Sequence, residues 1–563
     1  MVHMDGKFSS KVARSAVAAG LALAMAASPV IPATVALADG AATGNITITK
    51  TDGQTTSFKG YQIFTAAVKD SENSTDGKTV SDLKWADGAE AVVESVAAKN
   101  GHTDKFATAQ DGADWIKANI QKTNSETAVA SNTVAYQLAT ALQNSKLSSK
   151  AVTAGTAVNL SDGYWLFVTD AKSLDVPGEV ATAPIFAVVG GKDVFVKEKD
   201  SLPTISKTVN DNKKADSVGV GDTVNYKLDG TVANNIDTYS KYYYKFTDTL
   251  SAGLTADRNS VVVKVKNGEA ETTVKSGYTT NLGTNEDGTS TLTVEFTDLK
   301  KATDENDTAI TINKDTHVTV EYKATVNTKA QGGSDTNNNL SNSAKLTYSN
   351  DPKTADQGEK GTTDTPTPST TKSYTYRLNL VKKDRDTEAT LNGAVFTLKG
   401  TDGKYIKADG SKTENEQEAH LTTDENGAVS VNGLDEGTYT LHEVTAPTGY
   451  DTTTDTTIKI TPTIAGDDNQ TLTAIDNQVT GNDDAIPGQS NGITGDHQLQ
   501  AAKDTAADVQ TGTVTVTVGD KKEITMPLTG MKGTTALVVY GSAVLVISAA
   551  AYIRHRRNAA DSE

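Results

Sequence analysis

Apolar and polar residues alternate with period two along most of the chain. Ile46, Ile48 and Lys50 share one phase, as do Val261, Val263 and Val265, then Leu292, Val294 and Phe296, then Val318, Val320 and Tyr322. β-branched residues in strict alternation predict half-buried strands. Turn clusters of Thr, Asn, Asp and Gly at short intervals predict β-sandwiches built from those strands. Residues 80–145 follow another rhythm. There Val134, Leu138 and Leu142 recur every four positions, and Trp115, Ile116 and Ile120 fall on one helical face. Strands resume at Gly163–Val168 and Ile185–Val189. The expected fold is mainly β: tandem immunoglobulin-like β-sandwich domains, the first with inserted helices.

Two apolar runs have a different meaning. Residues 16–30 follow Lys7, Lys11 and Arg14, are broken by Pro29 with Pro32 just beyond, and lead to Ala36-Leu37-Ala38. Positive start, apolar stretch and small-x-small end read as a secretory signal peptide over 1–38, cut between Ala38 and Asp39. Residues 534–553 carry no charge over a length that spans a bilayer as one helix, predicting a single transmembrane helix in the precursor. Arg554, His555, Arg556 and Arg557 then open a basic tail, 554–563, which stays in the cytoplasm.

Between these ends the expected organisation is an N-terminal mixed domain over 39–200 and a β-sandwich over 201–350. A Pro/Thr/Asp-rich linker follows over 351–371, then a second β-sandwich over 372–525. Polar, Gly-rich residues 464–510 are expected to be a long surface insertion in the last domain.

Composition narrows the function. The formal net charge of −18 argues against nucleic acid as a partner, since nothing would neutralise phosphates. There is no cysteine, so an exported chain must find its stability outside disulfides. The seven histidines are scattered, and no metal, nucleotide or hydrolase motif appears, so no cofactor and no enzyme activity are expected. The acidic turn Asp304–Asp307 reads as a solvated loop.

Four groups of residues carry chemistry. The first is Met526-Pro527-Leu528-Thr529-Gly530, standing just before the apolar run. Pentapeptide, apolar span and basic tail in this order resemble the cell-wall sorting signal of Gram-positive surface proteins, with Met in place of the usual Leu. The resemblance implies that a sortase cysteine attacks the Thr529–Gly530 carbonyl and that an amine resolves the thioester.

The second group lies in the last domain: Leu378–Asp384 (LNLVKKD), Leu391–Leu398 (LNGAVFTL) and Tyr439–Tyr450 (YTLHEVTAPTGY). This ordered set resembles the collagen-adhesin B-type domain. The resemblance implies an intramolecular isopeptide bond with Lys382 as amine and Glu443 as promoting acid. The partner is Asp520, where the family carries Asn, with Asn477 as the alternative. A lysine attacks only when neutral, which burial favours, and a carboxyl in an apolar pocket can hold a proton to give.

The third group is Ser206–Val209 (SKTV), Lys245–Thr255 (KFTDTLSAGLT) and Asn342–Tyr348 (NSAKLTY). It resembles the isopeptide-forming A-type domain of fimbrial subunits. By that match Lys207 is the amine, Asp248 the acid and Asn342 the carboxamide, in first and last strands expected to be neighbours. The fourth is Val194–Pro203 (VFVKEKDSLP), which resembles the pilin motif of backbone subunits. Lys199 matches the motif lysine, although Lys197, Glu198 and Asp200 depart from the pattern; Lys197 is the alternative acceptor.

Taken together, the chain resembles the major fimbrial subunits of Gram-positive bacteria. What this implies is the structural backbone of a cell-surface pilus, polymerised by a sortase from Thr529 to Lys199 of the next copy and anchored to the wall. Its implied partners are pilus-specific and housekeeping sortases, other copies of itself, minor tip and base pilins, peptidoglycan, and a host glycan or matrix ligand. Two alternatives stay open: a monomeric wall-anchored adhesin, and a minor pilus subunit.

Overall fold

The computed structural model of the chain describes residues 43–49, 55–71, 77–120, 133–197, 202–330, 339–465, 470–481, 509, 511–520 and 522. The expected signal peptide, sorting pentapeptide, membrane helix and basic tail lie outside these residues, as do Lys199, Ala38 and Asp39. Among the described residues no helix is long and apolar enough to cross a membrane.

The first domain contains β1 (Thr43–Thr49), β2 (Ser57–Asp70), β3 (Lys78–Trp85), α1 (Ala89–Lys99), α2 (Ala109–Ile120), α3 (Val134–Gln143), β4 (Lys150–Thr153), β5 (Val158–Ser161), β6 (Gly163–Thr169), β7 (Ile185–Val189) and β8 (Val194–Lys197). Sheets β5-β1-β8 and β3-β2-β6-β7 enclose a core of Ile46, Ile48, Phe58 and Phe167. The helices cover the outer face of the second sheet, burying Val93, Ile116, Leu138 and Leu142 against Ile63 and Leu166. The period-four pattern thus becomes a helical layer seated on strands.

The middle domain contains β9 (Ile205–Val209), β10 (Ala215–Ser217), β11 (Thr223–Thr231), β12 (Tyr244–Leu250), β13 (Leu254–Asn267), β14 (Ala270–Thr273), β15 (Thr279–Thr284), β16 (Ser290–Phe296), β17 (Thr316–Val326), β18 (Asn339–Ser349), β19 (Thr362–Asp364) and β20 (Ser369–Tyr374). Sheet β14-β13-β17-β11-β9 faces sheet β10-β20-β18-β12-β16-β15, with β19 also paired to β18. Two expectations are corrected here. The segment read as linker, 351–371, is folded: a 3-10 turn at Pro352–Gly361, then β19 and most of β20 along β18. Its threonines supply β-branched strand residues, and Thr363, Thr365 and Thr371 are buried, so its polar composition concealed a strand. Lys207 and Asn342 are also not on hydrogen-bonded neighbours. β9 and β18 belong to opposite sheets, and β20, not β18, is the last strand.

The third domain contains β21 (Tyr376–Asp384), β22 (Val395–Gly400), β23 (Tyr405–Ile406), β24 (Lys412–Thr413), β25 (Leu421–Thr422), β26 (Ala428–Leu434), β27 (Gly437–Thr445), β28 (Thr456–Ala465), β29 (Thr471–Gly481) and β30 (Thr513–Asp520). Its sheets are β26-β21-β30 and β24-β23-β22-β27-β28-β29, with β25 on β22. The expected insertion 464–510 needs trimming. Residues 471–481 form β29, which pairs along β28 and buries Leu472 and Ile475. Exposed Thr471, Thr473 and Asp476 alternate with those two, which gave the segment its polar look.

Backbone contacts fix the domains to one another. Ala181 N–H donates to Asn350 O at 2.7 Å, joining the first and middle domains. Val220 N–H donates to Gly433 O at 2.9 Å, joining the middle and third. Gly433 has φ +68°, and a Cβ there would stand 2.4 Å from Val220, so only glycine permits this approach.

Candidate functional site

In the middle domain, the inward phase of each strand is apolar except at a few positions. β12 points Tyr244, Phe246, Asp248 and Leu250 into the core; β18 points Leu340, Asn342, Ala344 and Leu346. Lys207 and Val209 face inward from β9 in the opposite sheet. Register places Asp248 opposite Ala344 and Leu250 opposite Asn342 on adjacent strands. The acid and carboxamide therefore share one sheet, and the lysine reaches them across the sandwich.

Lys207 and Asn342 are 0 % exposed and Asp248 1 %. The Lys207 ammonium donates to Asp248 Oδ2, and the Tyr226 ring lies 4.6 Å from Nζ. Tyr322, on β17 opposite Tyr226, places its hydroxyl among them. That hydroxyl donates to Asp248 Oδ2 at 2.7 Å, accepts from Asn342 Nδ2 at 2.7 Å, and is 3.5 Å from Lys207 Nζ. Asn342 Oδ1 is buried with no hydrogen-bond donor among the described residues. Burial pulls the Lys207 ammonium down to about 8; Asp248 opposes the shift and the nearby charge of Lys214 adds to it. A neutral, nucleophilic amine is thus accessible near neutral pH.

The third domain builds its cluster differently. β21 sends Tyr376, Leu378, Leu380 and Lys382 inward, and parallel β30 sends Val514, Val516, Val518 and Asp520. Lys382 lies opposite Val518 and Asp384 opposite Asp520, so Lys382 and Asp520 are diagonal neighbours within one sheet. Glu443 comes from β27 in the facing sheet. Lys382 Nζ stands 2.5 Å from Asp520 Oδ1 and 2.7 Å from Glu443 Oε1, all three side chains being 0 % exposed. Thr453 binds the other oxygen of Glu443 through its N–H at 2.7 Å and its hydroxyl at 3.0 Å. Phe396 covers the amine at 5.3 Å.

Two carboxylates and one ammonium would leave an uncompensated negative charge in the core, which is costly. A proton on one carboxyl would remove that charge. Burial, helped by the charge of Glu443, pushes Asp520 up to about 6 in spite of Lys382. A protonated Asp520 is an electrophile that can lose water; an ionised one is not.

Asn477, the alternative partner, stands on β29 opposite Ile460 in the facing sheet, while Asp520 is the residue on Lys382. Lys197 closes β8, the edge strand of its sheet, whose Phe195 is 73 % exposed. Met526, Pro527, Leu528, Thr529 and Gly530 lie outside the described residues. Reading the sequence missed Tyr322, Tyr226 and Thr453. The signal for Tyr322 was present: a polar-tipped residue on the apolar phase after Val318 and Val320.

Two stretches of the chain match known family models. Residues 220–352 match the family of the Gram-positive pilin backbone subunit 2, Cna-B-like domain, and residues 376–478 match the SpaA prealbumin-like fold domain. The chain is 27% identical over 417 residues to the Trypsin-resistant surface T6 protein of Streptococcus pyogenes serotype M6, covering 64% of this chain and 70% of that one. The solved T6 backbone pilin of that serotype is similar at 18% identity and a TM-score of 0.45, covering 86% of this chain and 99% of the other. The full-length major pilin SpaD of Corynebacterium diphtheriae is similar at 16% identity and a TM-score of 0.42, covering 86% and 98%.

Proposed function

This chain belongs with the backbone pilins of Gram-positive bacteria, and on that premise we propose that it is the repeating subunit of a covalent pilus whose middle and third domains are each closed by an internal amide crosslink. One observation carries the crosslinks: twice, a fully buried lysine meets a buried carboxyl group, with a carboxamide or a second carboxyl group at hand. Simple ion pairs are seldom buried so completely, because desolvation offsets most of their attraction.

In the middle domain, neutral Lys207 attacks Cγ of Asn342, Asp248 takes up the proton released, and ammonia leaves. In the third domain, neutral Lys382 attacks Cγ of protonated Asp520, Glu443 handles the protons, and water leaves. The first link would close a loop of about 135 residues and the second one of 138, each worth about 4–5 kcal/mol if disulfide loop entropy is a guide. Such links supply the stability that a chain without cysteine cannot take from disulfides.

Between subunits the same chemistry runs through a sortase. The enzyme cuts Thr529–Gly530 of one copy, and Lys199 of the next accepts the Thr529 acyl group; the last copy passes to peptidoglycan. The subunit is a substrate and self-crosslinker, not an enzyme in turnover. Surface extracts boiled in detergent test this reading. A ladder of multimers is expected, lost in Lys199→Ala. Its absence from the native strain would favour a monomeric wall-anchored adhesin.

A further inference from the structure

Replacing the nitrogen of a carboxamide by a lysine amine poses a specific difficulty. The group expelled must leave as ammonia, because an amide anion is far too basic to depart. Some acid has to deliver a proton to that nitrogen while the C–N bond breaks. In the middle domain the leaving nitrogen is Asn342 Nδ2, and the acid hydrogen-bonded to the lysine is Asp248. No direct hydrogen bond joins Asp248 to Nδ2 in the structure; Tyr322 stands between them, its hydroxyl 2.7 Å from each.

We propose that Tyr322 is a catalytic residue of the middle-domain crosslink, relaying a proton from Asp248 to Nδ2 of Asn342 as ammonia leaves. The inference rests on the reading that Lys207 and Asn342 become joined. The atoms balance without any further reagent. Lys207 Nζ forms a bond to Cγ, and one of its two protons passes to Asp248. The tetrahedral carbon turns Nδ2 from a planar donor into a basic amine. The Tyr322 hydroxyl then rotates its proton onto Nδ2 and is refilled from Asp248. The Cγ–Nδ2 bond breaks, ammonia departs, and Asp248 and Tyr322 end as they began.

The surroundings suit a relay better than a spectator. A buried tyrosine hydroxyl needs one partner, whereas this one touches the acid, the leaving nitrogen and, at 3.5 Å, the nucleophile. The ring is clamped by stacking on Tyr226 at a centroid distance of 5.2 Å, so the hydroxyl is held in place. Burial keeps the phenol far above its ordinary range, so it passes a proton only as it receives one. The third domain has no such need. Glu443 contacts Lys382 directly, the group lost is water from an acid, and the hydroxyl on Glu443 is that of Thr453.

The second crosslink in the same molecule provides an internal clock. The full chain is made by cell-free synthesis, quenched at intervals in acid and followed by intact mass and linked-peptide mass spectrometry. In the wild type both links are expected, with losses of about 17 Da and about 18 Da. In Tyr322→Phe the Lys207–Asn342 link is expected to form at least ~100-fold more slowly while Lys382–Asp520 keeps its rate. Equal rates for the first link in wild type and Tyr322→Phe overturn the relay but leave the crosslink reading intact. A wild type that never loses the 17 Da overturns both. Because Phe could also disturb packing, 3-fluorotyrosine is placed at position 322 as a second variant. It keeps the hydroxyl and makes it more acidic, so the rate should rise; a purely structural hydroxyl would leave it unchanged.

Discussion

The two proposed crosslinks, in the middle and third domains, are set up by opposite arrangements. In the middle domain the lysine crosses from one sheet to a carboxamide in the other, and a single carboxylate faces it. In the third, lysine and electrophile share a sheet on parallel strands, and a second carboxylate arrives from the facing sheet. The middle domain must make a good nucleophile of Lys207, which burial does. The third must make an electrophile of Asp520, and burial also favours that by raising its carboxyl toward the protonated form. Desolvation is the shared cause, and the sign of its effect depends on which partner it acts upon.

The contrast is sharpest when one acid is removed. Asp248→Ala leaves Lys207 with no carboxylate, whereas Glu443→Ala leaves Lys382 paired to Asp520. An unpaired buried charge costs about 3–5 kcal/mol, and a lost crosslink about as much again. Calorimetry should show the middle domain melting roughly 15 °C or more lower in Asp248→Ala, with a smaller fall for the third domain in Glu443→Ala. Equal falls would contradict the one-carboxylate, two-carboxylate distinction.

Acidity should separate the sites next. The middle-domain link needs neutral Lys207, so its rate of formation should climb as pH rises and level off above about 8. The third-domain link needs Asp520 protonated and Lys382 neutral at once, a state with the same number of protons as their ion pair, so above about pH 6 its rate should stay level where the other climbs. Stability of unlinked forms follows the same groups. In Lys382→Ala no link forms and Asp520 stays buried with no cation beside it, so its carboxyl remains raised. A carboxyl raised in the folded state contributes stability below its unfolded value, lost as pH climbs through the folded one. That variant should therefore weaken from about pH 4 upward, while linked wild type should not. Timed mass spectra and melting curves across pH 5–9 test both; parallel rate profiles at the two sites would undo the assignment of nucleophile and electrophile control.

Much of this was legible in the sequence, because each reacting group sits on the apolar phase of a strand. Asp248 follows Tyr244 and Phe246 at period two, Lys382 follows Leu378 and Leu380, and Asp520 follows Val516 and Val518. A charge in that phase must be buried, and a buried charge calls for a partner. Pairing was less legible. Alternation shows which face a residue takes, not which sheet its strand joins, so Lys207 and Asn342 were expected on neighbouring strands. The folding of 351–371 was hidden for another reason: its strands are held by backbone bonds and buried threonines, which hydropathy does not register. Tyr322 was overlooked because a tyrosine on an apolar phase looks like ordinary core.

Two smaller effects refine the comparison. Asp520→Asn gives the third domain the leaving group of the middle one without its tyrosine; the mass loss should change from about 18 to about 17 Da and the link should form at least ~10-fold more slowly. Formation at the wild-type rate would mean that the leaving group sets no demand. Thr453→Ala removes one of two hydrogen bonds on Glu443, worth about 1 kcal/mol, and should slow the third-domain link a few-fold with no change in the other. A change at both sites would point to a general folding defect.

The central claim is that Lys207 and Lys382 end as amides. The direct test is the intact mass of the folded, wall-released subunit, followed by sequencing of its linked peptides. A combined deficit of about 35 Da against the sequence, with Lys207 joined to Asn342 and Lys382 to Asp520, is the expected result. A mass equal to that of the unmodified sequence, with both lysines open to amine reagents after unfolding, would contradict it.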